Sequence, residues 1–518
     1  MDLQLKDYKE EAKKSNDFKN ALESQIKESK IFSSKKFWNT ETDKEGNVKG
    51  CRIDHKKYIE FIQTLGYRRF DQGDDFFFVL IKNKVIEEVT KHRIKDEVIK
   101  YIESLPDDYL KSEGVNRHDL LVKFYTSPAI YFSETKFSLL MPESDLLMNE
   151  DTKAESYIYY KNGFVSCTAN GYDLKPYNLL DKYIWKNQIK NREFNKYDPE
   201  GMFHKFVFNI SGQKEDRFQS LKTLIGYTLH TYYETKLKAI NLTDSTISDV
   251  AEGRTGKTLL GRGISQIKNL CEISGKDFDP TNKHKYQDCR LDTQIVFLND
   301  IRKHFQIENL FNDISDHITI DRKNLQPISI KAKMLISSND TFKVNGASAK
   351  DRLIEFELSE HYSNSYSPYD EFGQWFFTEW SNEEWLSFDN FMMTCISDYL
   401  RLGLLEANII NLGKRKQIEH TNRDFVEWMD DKIKNEEIRP EFEYDKKELH
   451  NNFLEAYSEY KEDKYLKRQS NFTNFLRTYV SNSDELSDKI NERRANGKDY
   501  IKFHKSGFNI IKNELQLI

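Results

Sequence analysis

Glycine and proline are scarce in this chain: 21 and 9 residues respectively in 518. Little loop punctuation is available, so most of the length should be regular structure. Cysteine is scarcer still. The five thiols, at 51, 167, 271, 289 and 395, form no CxxC pair, and the odd count argues against a disulfide framework or a Cys-rich zinc site. Long apolar runs are missing as well. The longest, Phe76–Ile81, falls far short of the roughly 20 residues that span a bilayer. The opening Met1-Asp2-Leu3-Gln4 has no apolar signal core, and the expectation is a cytoplasmic protein without a membrane partner. An excess of positive charge is absent too: Asp+Glu outnumber Lys+Arg by 85 to 79, a net charge of −6. Any nucleic-acid contact must then come from local basic stripes.

What is present is aromatic. With 35 Phe and 28 Tyr, and 38% apolar residues, the composition excludes a disordered chain. At about 100–200 residues per domain, the length predicts three or four domains. Residues 1–36 read as a charged tail or frayed helix. Residues 37–150 alternate short strands (Phe77–Ile81, Val85-Ile86) with helices whose apolar positions recur at helical spacing, such as Tyr58, Phe61, Ile62 and Leu65, or Ile94, Val98 and Ile102. This is a mixed α+β domain. Residues 151–235 form a helical and mixed region, with a hairpin turning at Lys161-Asn162 and a helix from Arg217 to about Tyr233. From 236 to 412 strands and helices alternate, the mark of an α/β sheet. The aromatics of 370–406 fit a helical core better than a base-stacking platform. Gly413-Lys414-Arg415-Lys416 reads as a linker into a last domain, 413–518, built of helices and a hairpin at Asn496-Gly497.

One motif carries chemistry. Ala251-Glu252-Gly253-Arg254-Thr255-Gly256-Lys257-Thr258, leading into Leu259, matches a phosphate-binding loop with Ala in place of the usual first Gly. Backbone N–H groups around Gly253–Lys257 can curl around a β-phosphate, and the helix that follows directs its positive end there. Lys257 can reach the β- and γ-phosphates, and Thr258 is placed to ligate Mg²⁺. Farther on, Ile295–Leu298 is an apolar strand ending in Asn299-Asp300. Asp300 could polarise an attacking water. Asn299 stands where an acid usually helps to hold Mg²⁺. A third strand, Lys333–Ser338, ends at Asn339, a candidate γ-phosphate sensor. Between them, Ile318–Ile320 and Ile328–Ile330 alternate as a hairpin with Arg322 and Lys323 near its tip. On its own that is an ordinary solvated turn; facing a channel, it could grip a phosphate backbone. Asp351-Arg352 follows the third strand, either a surface ion pair or an Arg able to reach a neighbour's γ-phosphate.

Taken in order, AEGRTGKT, IVFLND, the basic hairpin, MLISSN and DR resemble the superfamily 3 helicases of viruses, phages and plasmids. The likeness is to the primase-helicase proteins of phages and prophages of Bacteroidetes-type bacteria, related to the poxvirus primase-helicase. It extends to Tyr183-Ile184-Trp185 and Gly226-Tyr227 before the motifs, and to Glu384-Trp385 and Phe388–Met392 after them. The resemblance implies an AAA+-like, ring-forming translocase, a hexamer, that hydrolyses ATP with Mg²⁺ and tracks along single-stranded DNA in a bacterial host cell. It implies roles for Lys257 and Thr258 in the nucleotide loop, Asp300 as the second acid, Asn339 as sensor, Arg352 as arginine finger, and Arg322 and Lys323 as channel hairpin. Two departures matter. Asn299 replaces an acid, which bears on Mg²⁺ affinity and rate. About 50 residues precede the matching part, too few for a primase, so a primase or polymerase would be a separate chain. The last hundred or so residues look like a winged helix whose wing carries Arg493, Arg494 and Lys498; such modules bind duplex DNA or protein. The alternative to a helicase is a nucleic-acid-binding ATPase switch: an initiator, loader or defence factor without processive unwinding.

Overall fold

Asp54 turns the chain from strand into helix. Its side chain accepts from the backbone N–H groups of Lys56 and Lys57, capping His55–Thr64, which buries Tyr58, Ile59, Phe61 and Ile62. Thr90 caps Lys91–Ser104 in the same way, and Ile94, Val98 and Ile102 face inward. The computed structural model that these elements come from describes residues 35–506, apart from 73–74, 144–145, 234–236, 247–253, 303–304, 323–326, 340–341, 343–350 and 484. Contacts divide the chain into two compact units.

The first unit comprises the described residues up to Asn149 together with Asn178–Asn187. Its main sheet runs Ile184–Trp185, Val85–Val89, Asp75–Lys82, Tyr67–Gln72, Pro142–Glu143. The expected strands and helices are there. The returning segment Ile184–Trp185 adds a parallel edge strand beside Val85-Ile86. Phe37, Trp38, Tyr58, Phe124 and Phe137 form the centre of its core.

The second unit begins with an antiparallel sheet of Ser156–Tyr160, Gly163–Thr168 and Gly171–Lys175, with Ile189–Lys190 parallel at its edge. The hairpin turns where Lys161-Asn162 predicts. Helix α1 (Glu215–Leu229) follows, shorter at its C-terminal end than the apolar spacing suggests. It is almost wholly buried because it crosses α3 (Asn382–Leu402) at close range. A Cβ on Gly226 would lie 2.0 Å from the Cys395 carbonyl oxygen, so only glycine fits there.

Between these two helices in the sequence comes a five-stranded sheet, parallel throughout. Its strands are β1 (Ala239–Asp244), β2 (Leu270–Ser274), β3 (Ile295–Ile301), β4 (Lys333–Ser338) and β5 (Leu353–Leu358), in the order β2-β3-β4-β1-β5. Every residue of β1 and β4 is buried, as expected of strands covered on both faces. Helix α2 (Lys257–Ser265) follows β1 and packs over β3, where a Cβ on Gly261 would meet the Phe297 ring at 2.5 Å. One face of the sheet shares the core of α1 and α3; the other is filled by Phe278, Tyr286, Phe305 and the isoleucines of the 318–330 hairpin. That hairpin forms, with Ile318 opposite Ile330.

Two sequence expectations need correction. Gly413–Lys416 is not a linker: Leu412–His420 is a helix, α4, and Arg415 is 4% exposed. The run of charges looks solvated, yet this guanidinium is used inside the protein. The aromatic stretch 370–406 is also not all core. Phe376, Trp380 and Phe388 are buried, whereas Trp375 is 60% exposed against Tyr369. Beyond α4, helices Arg423–Lys434, Lys446–Ala456 and Gln469–Ser481 pack on an antiparallel sheet of Glu443–Asp445, Lys498–Lys505 and Leu486–Ala495 around Phe425, Phe453 and Phe472. Asn496 and Gly497 both take positive φ, 51° and 74°, the turn that the dipeptide announces. Among the described residues no helix is long and apolar enough to cross a membrane.

Candidate nucleotide site

The site lies at the carboxyl edge of the parallel sheet, where open α/β sheets present the ends of their strands. Of the loop residues, Ala251, Glu252 and Gly253 lie outside the described residues. Arg254 follows at φ 64°, and Gly256 caps α2 at φ 107°. A side chain at 256 would be strained by that φ and would also meet the Phe206 ring at 2.9 Å. Gly256 thus hands the chain into α2 so that Lys257 and Thr258 occupy its first turn, with Leu259 half-buried behind them. The unpaired N–H groups of that turn and the helix dipole favour an anion at this point.

Lys257 is buried. Its Nζ lies 2.5 Å from Asp244 Oδ2 and donates to Asn339 Oδ1 at 2.8 Å. Burial holds the ammonium below its ordinary pKa, and the Asp244 carboxylate partly offsets this. Asp244 ends β1 and also accepts from the Thr255 hydroxyl. The loop lysine is therefore held between the ends of β1 and β4.

Asn299 and Asp300 end β3 as expected, and their surroundings differ. The Asn299 Oδ1 accepts from Ser337 Oγ at 2.7 Å and from Thr258 Oγ1 at 3.3 Å, while its Nδ2 donates to Glu272 Oε1 on β2 at 2.7 Å. Asp300 takes positive φ, 62°, an uncommon conformation that Asp tolerates. Its Oδ1 accepts from Asn339 Nδ2 at 3.2 Å, and its Oδ2 lies 2.8 Å from Lys276 Nζ. That bond raises the Lys276 pKa. Lys257, Thr258, Asn299, Asp300 and Asn339 thus form one hydrogen-bonded group. The Thr258 hydroxyl bonds the Asn299 carboxamide, and Ser337 ties that carboxamide to the Asp300 backbone; hydroxyl, carboxamide and carboxylate are the hard oxygen donors that suit Mg²⁺.

Arg352 is elsewhere. It immediately precedes β5, whose Leu353 pairs with Ala239 at the start of β1, so it lies at the opposite edge of the sheet from Lys257. Its Nε donates to Ser315 Oγ at 2.8 Å and its guanidinium stands 5.5 Å from the Phe311 ring centroid. Arg322 is half-buried at the end of the first hairpin arm; Lys323 lies outside the described residues. In the C-terminal sheet every candidate cation has a carboxylate: Arg493 Nε meets Glu443 at 2.6 Å, Lys498 meets Asp445 at 3.0 Å and Arg494 meets Asp499 at 3.8 Å.

Four site residues escaped the sequence reading: Asp244, Glu272, Lys276 and Arg415. Arg415 donates to the backbone carbonyls of Asp244 and, at 2.6 Å, Asn339. Only Asp244 has a local signal, as a polar residue closing a buried strand before the loop.

No family model and no protein of curated function matches the chain. Solved structures do align with it. An A-form apo structure of the NrS-1 C-terminal region covers 87% of this chain and 99% of that one, at 14% identity and TM-score 0.38. A second apo structure of that region gives 87%, 98%, 12% and 0.35, and another A-form structure 86%, 98%, 14% and 0.40.

Proposed function

We propose that this chain is an ATP-dependent DNA helicase or translocase of the superfamily 3 type, serving replication of a phage or other mobile element. The observation that carries the reading is the convergence of Lys257 and Thr258, at the first turn of α2, with Asn299-Asp300 near the end of β3 and Asn339 after β4. In this reading Lys257 leaves Asp244 for the triphosphate, Asp300 orients and deprotonates water, and Asn339 bridges the two. Thr258 with Asn299 and Asp300 would hold Mg²⁺, which neutralises phosphate charge when bound. Catalysis consists of positioning and charge compensation.

The placement of Arg352 supports a ring. A strand of six residues, at roughly 3.3 Å each, separates it from its own Lys257. If it serves a nucleotide site, that site is a neighbour's, which suits a homo-hexamer around single-stranded DNA. The C-terminal module would act as a winged-helix-like contact to duplex or protein.

ATP turnover measured with and without single-stranded DNA, beside mass in solution and strand displacement, tests this reading. The expected result is DNA-stimulated turnover, an oligomer and a displaced strand. A strict monomer removes the role of Arg352. Asn299 favours a second reading, an ATPase switch without processive unwinding; stimulated turnover with no displaced strand would select it.

A further inference from the structure

The strand that precedes the hydrolytic residues ends in Asn299 instead of an acid, yet a carboxylate stands beside it. Glu272 lies on β2, the edge strand, where Ser274 pairs with Asn299 and Glu272 with Phe297. Side chains two apart share a face of a sheet, so Glu272, Phe297 and Asn299 all project toward the face that α2 covers. Thr258 stands on α2 above that face. The polar atoms form a directed chain: Thr258 Oγ1 to Asn299 Oδ1 at 3.3 Å, then Asn299 Nδ2 to Glu272 Oε1 at 2.7 Å. Ser337 Oγ, at 2.7 Å, fixes the carboxamide oxygen toward the hydroxyls, which leaves its NH₂ for Glu272.

An Asp at 299 would place two carboxylates at hydrogen-bond distance, and one would have to take up a proton. A carboxamide resolves that conflict and keeps one negative charge within two hydrogen bonds of Thr258. A glutamate merely solvated at a sheet edge has no reason to point inward at an amide. We propose that Glu272 supplies, from the neighbouring strand, the anionic charge that Asn299 lacks, and so strengthens the hold of Thr258, Asn299 and Asp300 on the divalent cation of the nucleotide. Glu272 and Asn299 have exchanged carboxylate and amide between adjacent strands. This rests on the nucleotide-binding reading of the site. In it Glu272 acts through its direct hydrogen bond to Asn299, as a positioning residue.

The experiment compares wild type, E272Q, N299D and the exchange variant E272Q/N299D as full chains. Two readouts are independent of turnover: binding of a fluorescent non-hydrolysable ATP analogue as Mg²⁺ is titrated, and binding of Mn²⁺ followed by electron paramagnetic resonance in the presence of that analogue. E272Q should raise the Mg²⁺ needed for half-maximal analogue binding by about tenfold or more, the scale at which partners of a metal's ligands act. The exchange variant should recover most of that loss, and N299D alone should not bind more tightly than wild type. Glu272 is exposed, so E272Q should unfold at the wild-type temperature. Identical Mg²⁺ curves for wild type and E272Q would overturn the assignment of Glu272 while leaving nucleotide binding intact. Failure of wild type to bind the analogue at any Mg²⁺ concentration would overturn the nucleotide reading and this one together.

Discussion

Lys257 and Asp244 form an ion pair at 2.5 Å, with side chains only 9% and 8% exposed. A phosphate that takes the lysine must first displace this partner. Removing Asp244 leaves a buried ammonium supported by Asn339 alone, and breaking a buried pair on one side costs about 3 kcal/mol. Asp244→Asn should therefore lower the unfolding temperature of nucleotide-free protein, and ATP should restore much of the loss. The double variant Lys257→Met/Asp244→Asn should be more stable than Asp244→Asn. Thermal unfolding of the four proteins closes the cycle, and additive losses would mean that the pair does not interact.

Gly256→Ala should impair both folding and nucleotide binding. The residue sits at φ 107° with the Phe206 ring 2.9 Å from where a Cβ would be. Strain of this kind costs on the order of 1–3 kcal/mol, and the start of α2 must shift to relieve it. An unchanged melting temperature with unchanged affinity for the ATP analogue would show that the loop entry is not constrained.

Asp300→Asn should separate binding from chemistry. The carboxylate accepts from Asn339 and pairs with Lys276, and it makes no bond to Lys257 or Thr258 in the described contacts. At saturating Mg²⁺ analogue affinity should stay within a few-fold of wild type while turnover falls by about 10²–10⁴, the usual contribution of a positioned acid or base. Equal loss of both at saturating Mg²⁺ would mean that Asp300 holds the nucleotide and does not act on the attacking water.

Lys190 gives a pH signature. Burial, with Arg192 and Lys268 nearby, pushes its pKa down to about 7 against attraction from Asp389 and Asp292. Between that value and its ordinary 10.5 the unfolded chain binds the proton more tightly than the folded one. Stability attributable to this residue therefore rises with pH across the window, and below about 7 the burial cost is fully present. Lys190→Met should raise the melting temperature most at about pH 6, and the gain should shrink toward pH 10. A gain independent of pH would assign it to packing alone.

Parts of the site were legible because their signals are local. The apolar run Ile295–Leu298 followed by Asn299-Asp300 is a strand end in any context, and Gly256-Lys257-Thr258 reads as a helix start. The 318–330 hairpin and the Asn496-Gly497 turn follow from alternation and from positive-φ residues. Glu272 was not legible, because its meaning depends on the register between β2 and β3. Arg415 was misread for a related reason: four charged or small residues in a row look like solvent-facing linker until a tertiary partner for one of them is known. The basic wing illustrates the converse. Arg493, Arg494 and Lys498 read as positive charge, but Glu443, Asp499 and Asp445 come from other turns and strands to meet them.

Arg415 holds the carbonyl of Asp244 at the end of β1 and that of Asn339 after β4 with one guanidinium. Two residues farther on, Gln417 of the same helix donates to the Tyr479 carbonyl in the C-terminal module. The two strand ends that grip Lys257 cannot spread apart without giving up a bond to this clamp. The helix that ties these two strand ends together is thus the same one that is bonded to the C-terminal module.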